Sequence, residues 1–236
     1  MRDDYLIFGK IDTRTYHVGI YGDQLASAPE RDQEFVEVPG HNGDMILDNG
    51  RYKNIVVSYK AYIIKDYDVN IKGLRNALLA PSGYTRLQDT IHPDEFRLAK
   101  ALPWEVDEYG ILKAGEFTMQ FNCKPQRFLI EGEYPIDVTA NTTILSSSNQ
   151  IAKPLIRAYG TGTFSINGIS VQVTSASGYT DIDCDLQECY KDTLATNCNG
   201  NVILAQGKFP ELAPGENAIV MSGFSKLEII PRWWIL

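Results

Sequence analysis

The sequence contains no apolar run long enough to cross a bilayer, and its first residues have no apolar segment like that of a secretory signal. Basic side chains are outnumbered by acidic ones, 22 to 30, which gives a net charge of −8. Nucleic-acid backbones are bound by clustered lysine and arginine, so an acidic chain is a poor candidate for that role. We therefore expect a protein that folds in a cytoplasm and binds neither nucleic acid nor a membrane.

Catalytic motifs are also absent from the sequence. The three histidines, His17, His41 and His92, are far apart and lie in no metal or triad motif. No nucleophile elbow, zinc-protease, P-loop or dinucleotide-binding pattern occurs. Each histidine is expected to make a turn or surface hydrogen bond. The sequence thus identifies no catalytic or cofactor-binding residue, and we expect neither an enzyme nor a bound cofactor.

The four cysteines do not form a recognisable metal site. Cys184, Cys189 and Cys198 have the spacing C-x4-C-x8-C, whereas a zinc ribbon needs two close pairs, and no histidine lies nearby. Cys123 stands alone. We expect no metal and four reduced thiols, as is usual in a cytoplasm.

The alternating carboxylates Asp181, Asp183 and Asp185 imitate the opening of a calcium loop. Such a loop needs glycine at its sixth position and glutamate at its twelfth, where this chain has Leu186 and Asp192. In a strand the three aspartates lie on one face, so we predict a solvated acidic face. Paired carboxylates for glycoside hydrolysis form in space, and nothing in the sequence selects one pair.

The chain has 236 residues, 44% of them hydrophobic, which is typical of one large or two modest globular domains. In the first half, β-branched and aromatic residues predict strands, and one apolar stripe of Ile71, Leu74 and Leu78 predicts a helix. Asp66 or Asp68 can cap this helix, and residues 81–83 end it. The predicted strands cover residues 53–65, 84–87, 96–102 and 116–123, and the helix covers residues 68–80.

The composition changes near residue 130, where short polar and β-prone runs begin. The pair Asn167-Gly168 between two such runs is a strong signal for a two-residue hairpin. Evenly spaced short strands with glycine and asparagine turns predict a β-sandwich of about 95 residues. These strands are expected at residues 153–159, 163–166, 169–173, 179–185, 201–205, 217–221 and 226–230.

The aromatic residues, including 13 tyrosines and three tryptophans, could line a sugar-binding groove, but in a β-rich chain they are usually core or cross-strand residues. Trp233 and Trp234 are adjacent near the end of the chain. Because neighbouring residues of a strand face opposite ways, both cannot enter one core. We expect one of the two to contact another domain or subunit.

Eight segments, in this order and spacing, resemble the distal tail proteins of long-tailed bacteriophages over almost the whole chain. Turn residues dominate several of them, and residues 48–50 (DNG) are expected to form a hairpin tip. The segments are residues 38–44 (VPGHNGD), 48–52 (DNGRY), 83–89 (GYTRLQD), 96–99 (FRLA), 121–127 (FNCKPQR), 182–185 (IDCD), 209–217 (FPELAPGEN) and 230–233 (IPRW).

The resemblance implies a mainly β protein with an N-terminal β-rich domain, residues 1–130, that contains one helix and forms a homo-hexameric ring. It also implies a galectin-like C-terminal β-sandwich, residues 131–236, whose last strand is a candidate to pack back on the N-terminal domain. Such a ring is a structural hub of the virion tail tip or baseplate. It joins the tail tube protein to the tail-tip protein and anchors receptor-binding components.

A galectin site depends on a histidine, an arginine and a stacking tryptophan. Residues 131–225 contain no histidine and no tryptophan, so we expect no conventional galectin site in the sandwich. Two alternatives to the hub remain open at this point. One is a virion adhesin that binds carbohydrate through its aromatic side chains, and the other is a glycan-degrading tail enzyme.

Overall fold

The computed structural model describes residues 4–21, 28–104 and 115–236, and these are mostly β-strands. The chain divides into two compact units, Met1–Arg127 with Leu236, and Phe128–Ile235. Each unit has its own cluster of buried hydrophobic side chains. No helix in the described part of the chain is long and apolar enough to span a membrane.

The first unit is an antiparallel sheet in the strand order β2-β1-β7-β8-β9-β6-β3, together with a separate pair, β4 and β5, and one α-helix, α1. The elements are β1 Leu6–Phe8, β2 Ile11–Asp12, β3 Val18–Tyr21, β4 Arg31–Val36, β5 Met45–Tyr52, β6 Ile55–Ile63, α1 Tyr67–Leu79, β7 Thr85–Asp89, β8 Glu95–Ala101 and β9 Glu116–Cys123.

Side-chain alternation explains how this sheet makes a core. In β6 every second residue from Ile55 to Ile63 is buried, which is the period of two that a strand with one covered face requires. The helix buries the predicted stripe of Ile71, Leu74 and Leu78 in the same cluster. The predicted helix is therefore confirmed within one residue at each end.

The cap of this helix differs from the expectation. Asp66 occupies the N-cap position, but with φ at 49° its side chain makes no capping hydrogen bond. Asp68 lies in the first turn instead, where a negative charge interacts favourably with the helix dipole.

The second unit is also antiparallel, and its main strand order is β11-β19-β13-β15-β16-β17. Two long strands, β13 and β19, pair over ten residue positions and occupy its centre. The short strands β10 and β20 pair with each other. The elements are β10 Arg127–Leu129, β11 Ile136–Val138, β12 Thr142–Ser146, β13 Leu155–Ile166, β14 Ile169–Val173, β15 Tyr179–Asp183, β16 Glu188–Lys191, β17 Thr193–Asn197, β18 Val202–Leu204, β19 Gly215–Ile230 and β20 Trp234–Ile235.

The two layers of this unit are made by bending the central strands. The first half of β13 pairs with β15 and its second half with β14, and the register of β13 against β19 shifts at Gly160. Gly223 has φ at 89°, and a Cβ on Gly162 would lie 2.2 Å from the backbone oxygen of Ser222. Only glycine allows the backbones to come this close, so the glycines make the corner.

Several strand predictions for this unit are right in place but wrong in extent. Residues 153–159 and 163–166 were expected as two strands, and they form the single strand β13; residues 217–221 and 226–230 likewise form β19. In the sequence, glycine between two strand-like runs suggests a turn. In these two strands it instead bends a continuous strand. The Asn167-Gly168 hairpin is confirmed, with φ at 51° and 82°.

The two adjacent tryptophans do not follow strand alternation. Trp233 precedes β20, and Arg232 has φ at 56°, which breaks the extended conformation just before it. Trp233 is buried in the core of the second unit, and Trp234 is partly buried and packs against the outside of the same cluster.

Candidate interaction surfaces and buried charges

A cluster of exposed apolar side chains lies on the hairpin of β4 and β5, which we call the hairpin arm (residues 31–52). Among the described strands, β4 and β5 pair only with each other. Three consecutive cross-strand pairs near the tip join Glu34 to Leu47, Phe35 to Ile46 and Val36 to Met45. Their large apolar side chains are exposed, and they are Phe35 (65%), Val36, Met45, Ile46 and Leu47. Clustered apolar exposure of this kind is typical of a protein contact.

The base of the hairpin arm is polar and internally paired. The Arg31 Nε lies 2.9 Å from the Asp48 Oδ2, and the Arg51 Nε lies 2.6 Å from the Asp32 Oδ2. Hydrogen bonds from the Gly50 amide and then from Arg31 lower the pKa of Asp48 from its ordinary value. The ion pairs of the arm thus lie at its base, and its exposed apolar side chains lie near the tip.

The predicted hairpin tip at residues 48–50 is wrong. These residues lie inside β5, where the register against β4 shifts between Arg31 and Gln33. Gly50, with φ at 71°, and the Asp48 carboxylate, which accepts from the Gly50 amide at 2.7 Å, form this irregularity. The pattern Asp-Asn-Gly suits a bulge as well as a turn, because both need positive φ. The true tip contains Gly40 and Gly43, both at positive φ.

The predicted solvated acidic face at residues 181–185 is also wrong. Asp181 and Asp183 are 2% and 1% exposed, and only Asp185 is exposed. The Arg157 guanidinium donates to both carboxylate oxygens of Asp181, at 2.7 and 3.0 Å. Arg232 donates to both oxygens of Asp183, at 2.7 Å each. Bidentate arginine pairs offset the cost of burying these carboxylates, which sequence alternation alone cannot reveal.

The pKa of Asp183 reflects two opposing effects. Burial raises it, but hydrogen bonds from Arg232 and from the amides of Leu186 and Asp185 outweigh burial, and the pKa lies below its ordinary value. The pair also joins two of the segments that carry the family resemblance, residues 182–185 and 230–233. The structure therefore brings together the aspartate of one segment and the arginine of the other.

The aromatic pair of the second unit is not a free platform for a sugar ring. Tyr159 and Tyr179 pack with their ring centroids 5.6 Å apart. Lys226 lies over the Tyr159 ring and Arg157 over the Tyr179 ring, at 4.9 and 4.2 Å from the centroids. The hydroxyls are also engaged, since that of Tyr159 donates to Glu228 at 3.0 Å and that of Tyr179 to an aspartate. These contacts give the carbohydrate-binding alternative no support at this surface.

The first unit contains a small polar cavity of about 80 Å³. Residues from three other segments that carry the resemblance line this cavity, namely residues 83–89, 96–99 and 121–127. Its titratable lining residues form partly paired groups: the Tyr59 hydroxyl donates to Asp89 at 2.9 Å, the His92 Nδ1 lies 3.3 Å from Asp89, and Arg127 pairs with Glu95. The cavity is lined by Val57, Tyr59, Leu87, Asp89, His92, Glu95, Phe96, Arg97 and Arg127.

The histidines and cysteines form no metal-binding group among the described residues. His17 ends a short 3-10 helix, Thr13–Tyr16, and His41 lies near the tip of the hairpin arm. All four cysteines are free thiols, and burial raises the pKa of Cys123 and of Cys189 to about 12. Thiols with such pKa values are poorly reactive at neutral pH.

Comparison with solved structures identifies the fold. The chain is similar to the SPP1 Dit protein (gp 19.1), described as a paradigm of the hub adsorption apparatus in phages that infect Gram-positive bacteria. The TM-score is 0.75 at 16% identity over 96% of this chain and 97% of that one. A chain of the phage p2 baseplate in its activated conformation with Sr matches with a TM-score of 0.53 at 10% identity, over 96% of both chains.

The same baseplate with Ca gives a TM-score of 0.53 at 11% identity, over 97% of both chains. No protein-family model and no curated protein matches the sequence. At these identities the likeness is one of fold, and it extends over nearly the whole chain. The protein therefore has the mainly β fold of the phage Dit hub proteins.

Proposed function

We propose that this chain is a distal tail protein, the structural hub of a long-tailed bacteriophage tail tip or baseplate. The observation that carries the proposal is the match to SPP1 Dit along both chains, with 96% and 97% covered. A match over nearly the whole length of both chains supports a shared role more strongly than a match of one common β-domain does, because single folds host many functions.

The hub forms a closed ring of six copies, a number taken from the family resemblance. Closed symmetry repeats one head-to-tail contact without leaving a free end. The hairpin arm supplies a surface for that contact, since the cross-strand pair Phe35 and Ile46 is exposed on one face and the described strands of the same chain leave it uncovered. The N-terminal domain, residues 1–130, therefore carries the ring contacts.

The ring joins the tail tube protein to the tail-tip protein and anchors receptor-binding components, and it is assembled in the host cytoplasm. The chain acts as a scaffold rather than an enzyme and uses no cofactor. The paired and covered polar groups of the second unit are in keeping with a structural role. The C-terminal domain, residues 131–236, is a galectin-like sandwich without a galectin site.

The test is electron microscopy of the tail tip, co-expressed with its neighbours or taken from virions. We expect a six-fold ring with about six times the 26.4 kDa mass of the chain. Isolated peripheral copies, or trimers on fibres, would overturn the hub and favour the adhesin.

A pair of variants tests the role of the hairpin arm within that ring. Phe35→Asp should abolish ring formation and change the free energy of unfolding by less than about 0.5 kcal/mol, because Phe35 is 65% exposed. Leu145→Asp is the matched control, since Leu145 is 70% exposed on the second unit, and it should leave the ring intact. A ring that survives Phe35→Asp would remove the arm from the contact without removing the hub.

A further inference from the structure

The first unit turns Arg97 inward, and among the described residues one nitrogen of its guanidinium has no hydrogen-bond partner. On β8 the buried residues Ala99 and Ala101 flank the exposed Lys100, and Arg97 lies on the same side of the strand as the two alanines. The Arg97 Nη1 is buried and has no hydrogen-bond partner among the described residues. Burial lowers the pKa of this guanidinium from its ordinary value.

The carboxylates that line the same cavity are bonded to other groups. Asp89 accepts from the Tyr59 hydroxyl at 2.9 Å and from the backbone amides of Ile91 and His92, at 3.0 and 2.8 Å. Glu95 forms its ion pair with Arg127. The chain thus places two guanidinium groups at one cavity, and its two carboxylates leave Arg97 with an unused N–H.

A buried donor without an acceptor is costly, and in native proteins such a group is normally satisfied by an ordered water or an ion. A cavity of about 80 Å³ has room for a few waters or for one small oxyanion. The flat guanidinium fork of Arg97 matches the oxygens of carboxylate, phosphate and sulfate. Arg127 brings a second guanidinium to the cavity, where it is paired with Glu95.

We propose that this cavity binds one small oxyanion, of the carboxylate, phosphate or sulfate class, between Arg97 and Arg127. The anion accepts from the free Nη1 of Arg97 and completes the polar end of the first core. The site is separate from the hub role and does not depend on it, since it lies inside a single chain.

The first experiment is calorimetric titration of the purified chain with inorganic phosphate, with sodium chloride of equal ionic strength as the reference. We expect saturable binding of one phosphate per chain. Arg97→Met removes the fork and keeps a long side chain, and it should abolish the binding. Arg14→Met is the matched control, because Arg14 is an exposed arginine paired with Asp12 outside the cavity, and it should bind as the wild type does.

A thermal-unfolding series gives a second readout. Phosphate stabilises most proteins through exclusion from their surface, so the informative quantity is the difference between variants. The wild type and Arg14→Met should gain about 3 °C more than Arg97→Met on changing from chloride to 50 mM phosphate. If Arg97→Met does not fold, Arg97→Lys decides, and it should bind phosphate at least about tenfold more weakly because a single ammonium lacks the fork.

Absence of saturable binding by the wild type to phosphate, sulfate and acetate would overturn the proposal and leave water as the partner of Arg97. Equal binding by the wild type and Arg97→Lys, together with equal phosphate responses of all folded variants, would overturn it as well.

Discussion

The two units of this protein keep charged side chains out of water in opposite ways. In the second unit, the buried Asp181 and Asp183 each accept two hydrogen bonds from an arginine of the same chain. In the first unit, Arg97 is turned inward and one of its nitrogens bonds to nothing among the described residues. A buried charge that is paired within the chain contributes to the fold. A buried donor without a partner needs an acceptor from outside the chain, such as a water or an anion.

The largest effect on this comparison is expected when an arginine of the second unit also loses its ion-pair partner. Asp183→Asn removes the charge facing Arg232 but keeps an oxygen for the nearby amides. We expect a loss of about 3 kcal/mol in the free energy of unfolding, because one partner of a buried ion pair is left alone. Urea denaturation measures it, and Asp185→Asn, at an exposed neighbouring carboxylate, should change little. Equal effects of the two variants would show that the Arg232 pair is not special.

An effect of similar size is expected at the other pair. Arg157→Met leaves the Asp181 carboxylate, which is 2% exposed, without its two hydrogen bonds, and the loss should be about 2 to 3 kcal/mol. The side chains of Arg157 and Arg232 are similarly exposed, at 35% and 31%, so water has similar access to both pairs. The same urea titration compares the two, and a loss below about 1 kcal/mol in Arg157→Met would contradict the role given to the burial of Asp181.

The pH dependence of stability tests the Asp183 pair in the wild type, because protonation removes the charge of the carboxylate without changing the side chain's size. Since the folded pKa of Asp183 lies below the unfolded value of about 3.9, its contribution to stability is fully present above that value and is lost as the pH falls through the folded pKa. The stability difference between wild type and Asp183→Asn should be constant from neutral pH to about pH 5 and shrink below about pH 4. A difference that grows in acid would mean that the sign is wrong.

The smallest effect is expected where ion pairs are exposed. Arg51→Met breaks the pair with Asp32 at the base of the hairpin arm, and we expect a change of less than about 0.5 kcal/mol in unfolding free energy, because the Arg51 side chain is 76% exposed. A clear destabilisation in the same assay would show that the arm depends on its base pairs.

The sequence predicts the helix and most strands because these depend on local periodicity. Two predicted patterns are found in the structure because both face the core of the first unit. They are the helical stripe of Ile71, Leu74 and Leu78 and the alternation of residues 53–65. The Asn167-Gly168 turn is equally local. These features need no knowledge of distant residues.

The errors concern features that depend on partners far along the chain. Asp183 is buried because Arg232 reaches it from 49 residues away, and no pattern within residues 181–185 reveals that contact. Gly50 forms a bulge rather than a tip because β5 continues past it against β4. Nothing in residues 95–101 predicts that the Arg97 Nη1 is buried without a partner, because this depends on the side chains that surround it.

The glycine corner of the second unit has a consequence for how that unit comes apart. Its two layers share the same two strands, because β13 and β19 stay paired as they pass from one layer into the other. Neither layer can detach while the other remains intact, so the unit should lose its structure in one cooperative step. Under a pulling force, such a unit should resist until both layers unfold together.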